Sequence, residues 1–205
     1  MIVYIESNFV LEMALEQEEV SSAVALLDLA EDKKIMLAFS SFVLGECYEC
    51  IIRERRVRNE LHTALVKTLR DLQRSKPYER IKLDLEPMVG VLTNAYTRQI
   101  ELLHITIDRL LGIGVNIEMN QDCFREALRY QGNLGLSPQD SIIYASVIAD
   151  LKTRSLDERK YFLSRDRRAF GNDDDRDIKA ELDTYNCRYI GSFVQGLDVI
   201  QRELK

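Results

Sequence analysis

The sequence predicts an α/β domain in which a mostly parallel sheet carries helices on both faces. Three observations lead there. The 205 residues include only 3 Pro and 9 Gly, so long periodic segments run without breakers. Short continuous runs of β-branched and aromatic residues recur between them, the pattern of strands buried on both faces. Strand and helix signals alternate along the chain, which implies parallel pairing through helical crossovers.

Ile2-Val3-Tyr4-Ile5 reads as the first strand, closed by Glu6-Ser7-Asn8, and a helical stretch follows to about Glu31. Ile35–Phe39 is the second strand, and Ser40-Ser41 caps a helix that starts near Phe42. From Ile51 to about Leu111 the pattern is purely helical. Leu61, Leu65, Leu69 and Leu72 share one face. After a break at Ser75-Lys76-Pro77, a second face runs through Leu85, Met88, Val89, Leu92, Tyr96, Leu103, Ile107 and Leu110. These segments predict a helical hairpin of about 60 residues, inserted at about 51–112 into a single domain spanning 1–205. Gly112-Ile113-Gly114 ends it.

Val115–Met119 is the third strand, followed by a helix from about Asp122 to Tyr130 and a loop at Gly132-Asn133-Leu134-Gly135. Ser137-Pro138-Gln139-Asp140 combines an N-cap serine, proline at the first helical position and an acid at the third, so a helix runs from there to about Leu151. Tyr161-Phe162-Leu163 is the fourth strand, Arg176–Tyr185 a helix, Cys187–Ile190 the fifth strand and Phe193–Leu204 a closing helix.

Charge narrows the function classes. With 28 Lys+Arg against 34 Asp+Glu, the net of −6 argues against a surface that grips nucleic acid everywhere by counterion release. The charge is unevenly spread. Between Ile51 and Lys82 ten basic residues face four acids, Glu54, Glu60, Asp71 and Glu79, a local +6 that leaves −12 elsewhere. Four cysteines and no basic-then-apolar leader at Met1–Asn8 are expected of a cytoplasmic protein, and no long uncharged apolar window offers a membrane span.

The position of the acids matters more than their number. In an open α/β sheet, ligands bind beyond the carboxyl ends of the strands. Glu6 follows strand one directly and Asp166 follows strand four, while Glu46 and Asp140 fall in the first turns of helices entering the same edge. Asp140 behind Ser137 is equally suited to helix capping, and Asp166 to an ordinary turn. Together, however, four carboxylates repel by up to about 4 kcal/mol per close pair at an effective dielectric near 20, which calls for a cation. Oxygen-only ligation selects Mg²⁺ or Mn²⁺.

Four segments, Ile2-Val3-Tyr4-Ile5-Glu6-Ser7-Asn8, Ser41-Phe42-Val43-Leu44-Gly45-Glu46, Pro138-Gln139-Asp140-Ser141-Ile142-Ile143-Tyr144-Ala145 and Phe162-Leu163-Ser164-Arg165-Asp166, resemble in that order the signature segments of PIN-domain nucleases. The resemblance covers nearly the whole chain apart from the hairpin. It implies a three-layer α/β/α fold and Mg²⁺- or Mn²⁺-dependent hydrolysis of phosphodiesters, usually in RNA, with DNA as the alternative. It also implies that Glu6, Glu46, Asp140 and Asp166 are the catalytic and metal-holding acids, braced by Asn8 and Ser164. Asp175, in the run Asp173-Asp174-Asp175, is a reserve ligand.

Glu6 stands where the family has Asp. The added methylene moves a carboxylate by about an ångström, against a tolerance of about 0.5 Å in catalytic constellations, so a PIN-like binding module without turnover is the second reading. Partners expected on the first reading include an antitoxin-like protein and a second copy of the chain.

Arg56, Lys67, Arg70 and Arg74 fall on one stripe of a continuous helix, opposite the leucine face. They are candidates for a phosphate track, and equally for a solvated face or a dock for an acidic partner. Arg165 beside Asp166 either holds a flanking phosphate or balances local carboxylates. Tyr4, Tyr144 and Tyr161 are read as packing residues, and the cysteines as buried thiols.

Overall fold

The computed structural model describes residues 1–78, 86–171 and 176–205, giving the backbone alone at 86–89, 93 and 176. Asp175 with its neighbours Asp173 and Asp174, the residues Glu79, Arg80 and Lys82 of the basic stretch, Leu85, and the side chains of Met88 and Val89 lie outside the described residues.

Five strands, β1 (Ile2–Ile5), β2 (Met36–Ser40), β3 (Val115–Ile117), β4 (Lys160–Leu163) and β5 (Cys187–Ile190), form one parallel sheet in the order β3-β2-β1-β4-β5. The chain steps outward from β1 to β3, then returns to the other side of β1 to lay down β4 and β5. The order therefore reverses between β1 and β4, whose last residues Ile5 and Leu163 are in register. A crevice at such a reversal is where open α/β sheets place ligands.

Side-chain alternation along β1 separates two cores, because successive residues point to opposite faces. Val3 and Ile5 enter one with Phe9, Leu26, Phe39, Val43, Leu103 and Phe193, while Ile2 and Tyr4 enter the other with Tyr144, Ile148, Phe162 and Phe170. The first core is roofed by α1 (Ser7–Ala14), α2 (Val20–Glu31), α3 (Ser41–Gln73), α4 (Glu86–Ile113) and α9 (Phe193–Glu203). The second lies under α5 (Gln121–Leu134), α6 (Pro138–Leu151), α7 (Arg167–Phe170) and α8 (Arg176–Thr184). The expected three layers are present, with Tyr4, Tyr144 and Tyr161 all buried. No helix among the described residues is long and apolar enough to cross a membrane.

Several elements depart from expectation. The stretch from Ser7 to Glu31 is two helices, since the chain turns at Leu15–Glu19 with Glu16 at φ 50°. The turn is held by the Glu12 carboxylate, 1% exposed, which accepts the Glu19 backbone N–H. β3 stops at Ile117, two residues early, and Met119 beyond it accepts the Ser40 hydroxyl through sulfur at 2.8 Å. α5 runs on through Leu134, and Gly135 ends it at φ 66°, a left-handed conformation glycine adopts freely. The short α7 had no clear sequence signal.

The hairpin grows directly out of the frame. α3 and α4 begin and end inside the frame core, through Val43, Cys47 and Ile51 on one and Leu103, Ile107 and Leu110 on the other, and simply run on past it. From Ile52 to Tyr78 no residue is buried. The expected leucine face is also turned outward: Leu61 is 62% exposed and Leu72 44% exposed. α3 presents a different face to α4, where Arg58 donates to Gln99 at 2.8 Å and Arg55 lies 4.2 Å over the Tyr96 ring.

Candidate active site

The carboxyl end of β1 passes straight into α1, and Glu6 at that junction is its N-cap: the Oε2 atom accepts the Asn8 backbone N–H at 2.9 Å and the Ser7 hydroxyl at 3.1 Å. Helix capping thus fixes the side chain over the sheet edge. Glu6 is 3% exposed, and its other oxygen, Oε1, is buried without a hydrogen-bond partner. Burial pushes its carboxyl up from 4.5 to about 7, against the opposing pull of the Asn8 N–H and the Ser164 and Ser7 hydroxyls, and the nearby Glu46 charge adds to the rise.

Glu46 projects from the second turn of α3. Its Oε2 atom is the other buried side-chain oxygen without a partner among the described residues. Its carboxyl is raised, first by burial and then by the charges of Asp140 and Asp166, while the Ser7 hydroxyl and Arg53 work the other way. The single Ser7 hydroxyl proton goes to Glu6, so Ser7 braces that carboxylate.

Asp140 and Asp166 each do the modest job that capping chemistry suggested, and the charge of each acts on Glu46. Asp140 Oδ2 accepts the Ser137 hydroxyl at 2.5 Å, while its own N–H donates to Ser137 Oγ at 3.2 Å, a closed capping pair at the start of α6. Burial raises its carboxyl, and the Asp166 charge raises it further. Asp166 Oδ1 accepts the N–H groups of Arg168 and Ala169 at 2.9 and 3.0 Å, capping α7 and leaving Oδ2 outside the cap. Ser164, fully buried, accepts the Asp166 N–H at 3.0 Å and reaches Glu6 as well.

The four acids and both bracing positions thus lie along the edge where strand order reverses, with charge coupling pairwise between Glu6 and Glu46, Glu46 and Asp140, Glu46 and Asp166, and Asp140 and Asp166. Asn8 braces through its backbone N–H and lines a cavity that has Glu46, alone of the four acids, in its wall. Two residues that count here were not singled out from the sequence. Ser7 could have been found from its place between the strand end and the helix cap. Arg53 shares a helix face with Glu46, about 20° away after seven residues.

The basic residues divide differently. Arg56, Lys67, Arg70 and Arg74 are exposed on one stripe of α3, but that stripe is rotated by roughly 60–120° from Glu46 and begins about 15 Å further along the axis. Arg165 is ion-paired with Glu12 and Glu18, so of its two readings charge balance is the one the geometry supports.

A divalent cation fits the donor chemistry. The acids offer hard oxygens only, two of which are buried and orphaned, and three of the four carboxyls are raised by burial and mutual repulsion. Among the described residues no three His, Cys, Asp or Glu side chains stand together as a ready metal cage.

Comparison with protein-family models, with curated proteins and with solved structures returns no match.

Proposed function

We propose that this chain is a metal-dependent nuclease of PIN type, hydrolysing phosphodiester bonds in RNA in a cytoplasmic setting. The observation that carries the reading is the convergence of Glu6, Glu46, Asp140 and Asp166 at the strand-order reversal, with one buried orphan oxygen on each of the first two. A site serving only stability has no reason to gather like charges there, because each close pair costs free energy that a cation offsets.

Glu6, Glu46, Asp140 and Asp166 are the residues that would hold Mg²⁺ or Mn²⁺, in part through water. Bound there, the ion supplies a Lewis acid for the scissile phosphate and a water of lowered pKa. The chain's own contributions follow from its geometry. The Ser7 hydroxyl and the Asn8 N–H fix the Glu6 carboxylate, and the α6 and α7 caps fix Asp140 and Asp166. Glu46, with its unpartnered oxygen, orients the attacking water in line with the departing 3′ oxygen. Glu6 is in turn anchored as the N-cap of α1.

The test is cleavage of mixed single-stranded and structured RNA and DNA in Mn²⁺, Mg²⁺ or chelator, beside Asp140→Asn. The expected result is cleavage by the parent with metal only; cleavage that survives chelator or the substitution overturns the mechanism. A second reading, a binding module docked through the hairpin by an acidic protein partner or a second copy, is favoured by the exposed leucines and bases of α3. It is the reading that stands if neither protein cleaves any substrate.

A further inference from the structure

Tyr189 leaves β5 on the side of the second core, in register with Phe162 on β4 and with the two rings 6.1 Å apart. Its hydroxyl donates to the Ser164 carbonyl at 3.0 Å. Ser164 is the fully buried residue that ties the turn after β4 to two of the acids, since its hydroxyl accepts the Asp166 N–H and reaches Glu6. Its own N–H donates to the Ile190 carbonyl at 3.2 Å. Both backbone polar groups of Ser164 are therefore held from β5, one of them by a side chain.

The same phenolic oxygen also meets the far end of that turn. A Cβ on Gly171, the residue that closes α7, would stand 2.9 Å from it, closer than such atoms approach in folded proteins. A Cβ on Gly191, just past the end of β5, would stand 3.2 Å from it, tighter than ordinary van der Waals contact. Glycine at both positions gives the hydroxyl its room. The segment from Ser164 to Gly171, which carries Asp166 and the N–H groups it caps, thus begins and ends against one oxygen atom. Burial pushes the Tyr189 phenol up from 10 to about 12, with the Glu6 charge adding, Arg167 opposing and Asp166 adding, so the group remains a donor at neutral pH.

We propose that Tyr189 is a positioning residue of the site: its hydroxyl closes the turn from Ser164 to Gly171 into a ring and so fixes Asp166 and, through Ser164, Glu6 at the strand ends. The inference rests on the reading of those acids as metal-holding and adds the outer strand from which they are steadied. Asp166 Oδ1 is taken up by the α7 cap, and Oδ2 goes where the turn carries it. Removing the phenolic oxygen leaves the ring against Phe162 and frees the turn at both ends.

The test compares the full chain with Tyr189→Phe, Gly191→Ala and the two combined. Tyr130→Phe is the control, because it removes a phenol hydrogen bond of the same kind, to Glu181, that touches none of the four acids. Mn²⁺ affinity is read from the electron paramagnetic resonance of the free ion, Tm in chelator, and kcat and KM on mixed RNA at saturating Mn²⁺. Both tyrosine variants are expected to lower Tm in chelator by about 2–4 °C. Only Tyr189→Phe weakens Mn²⁺ binding and lowers kcat, each by about tenfold or more, with KM unaltered. Gly191→Ala crowds the oxygen and weakens Mn²⁺ binding in the parent, yet costs nothing further in Tyr189→Phe, where that oxygen is absent. Unchanged Mn²⁺ affinity in Tyr189→Phe, an equal loss in Tyr130→Phe, additive losses in the double variant, or a parent that binds no Mn²⁺ overturns the proposal. Its failure is separable from that of the nuclease reading: weaker Mn²⁺ binding in Tyr189→Phe without cleavage by the parent sinks the enzyme and leaves the positioning role, whereas metal-dependent cleavage at the parent's kcat in Tyr189→Phe does the reverse.

Discussion

Arg165 closes an ion pair with Glu12 across 153 residues of sequence, and the carboxylate it holds is 1% exposed. The same carboxylate accepts the Glu19 N–H, so one buried acid ties the α1–α2 turn to the residue preceding Asp166. Removing one partner of a buried pair leaves an uncompensated charge, at about 3–5 kcal/mol when both are fully enclosed. Arg165 keeps a solvent-facing side, so Arg165→Ala is expected to cost about 2–3 kcal/mol in urea unfolding. Glu12→Gln together with Arg165→Ala recovers part of it, and additive losses in that double variant would count against coupling.

Glu19 does comparable work at a distance. Its carboxylate accepts the Ser192 hydroxyl at 2.9 Å and the Phe193 N–H at 2.6 Å, capping α9 from the turn that precedes α2. Glu19→Ala is expected to lower stability by about 1–2 kcal/mol, the usual loss of a helix cap, and to accelerate amide exchange in the first turn of α9. Exchange that speeds up uniformly over the chain would speak against this local role.

Glu6 sets a pH dependence whose sign follows from its raised carboxyl. The folded chain holds the proton up to about pH 7, and the unfolded chain releases it near 4.5. The stability this group contributes is therefore complete below 4.5 and is lost as pH rises through 7. Glu6→Gln, neutral throughout, flattens that part of the profile and melts above the parent at about pH 8. Saturating Mn²⁺ lifts the parent at high pH and leaves the variant unmoved; a parent profile already flat over this range would exclude a buried titrating Glu6.

Asp166 allows capping and ion binding to be measured separately. Asparagine caps a helix about as well as aspartate, while alanine loses roughly 1 kcal/mol. Asp166→Asn should melt like the parent in chelator yet lose the Mn²⁺-induced shift in Tm. Asp166→Ala should lose both. A retained Mn²⁺ shift in Asp166→Asn places the ion elsewhere.

The extended part of α3 should tolerate what the frame does not. Leu61 is 62% exposed and Leu103 is fully buried. Leu61→Gln is expected within about 0.5 kcal/mol of the parent, and Leu103→Ala to cost about 2–5 kcal/mol. Equal costs would mean that the outer leucines are covered in solution, and sedimentation would then show a dimer.

The strands were legible because a strand buried on both faces leaves an unmistakable run such as Ile2–Ile5, and α6 because Ser137-Pro138 marks its start chemically. The acids were legible because each follows a strand end or opens a helix. What stayed hidden is long-range or lacks a local marker. Nothing near Leu15 breaks a helix, and the turn there is made by Glu12 from within the core. A leucine repeat at helical spacing looks the same whether a partner helix covers it or not, which is why Leu61 and Leu72 read as packed. Arg165 could not be assigned to Glu12 from two stretches so far apart in sequence.

A single unbroken rod of 33 residues carries Glu46 near one end and the hairpin tip at the other. At 1.5 Å per residue the tip lies about 48 Å from Ser41 and Glu46 only about 8 Å. Val43, Cys47 and Ile51 clamp its first three turns in the core, so the helix is a cantilever whose free arm runs about 33 Å from Ile51 to Gln73 while Glu46 sits inside the clamp. A force on the outer leucines is therefore met at Ile51 before it reaches the carboxylate.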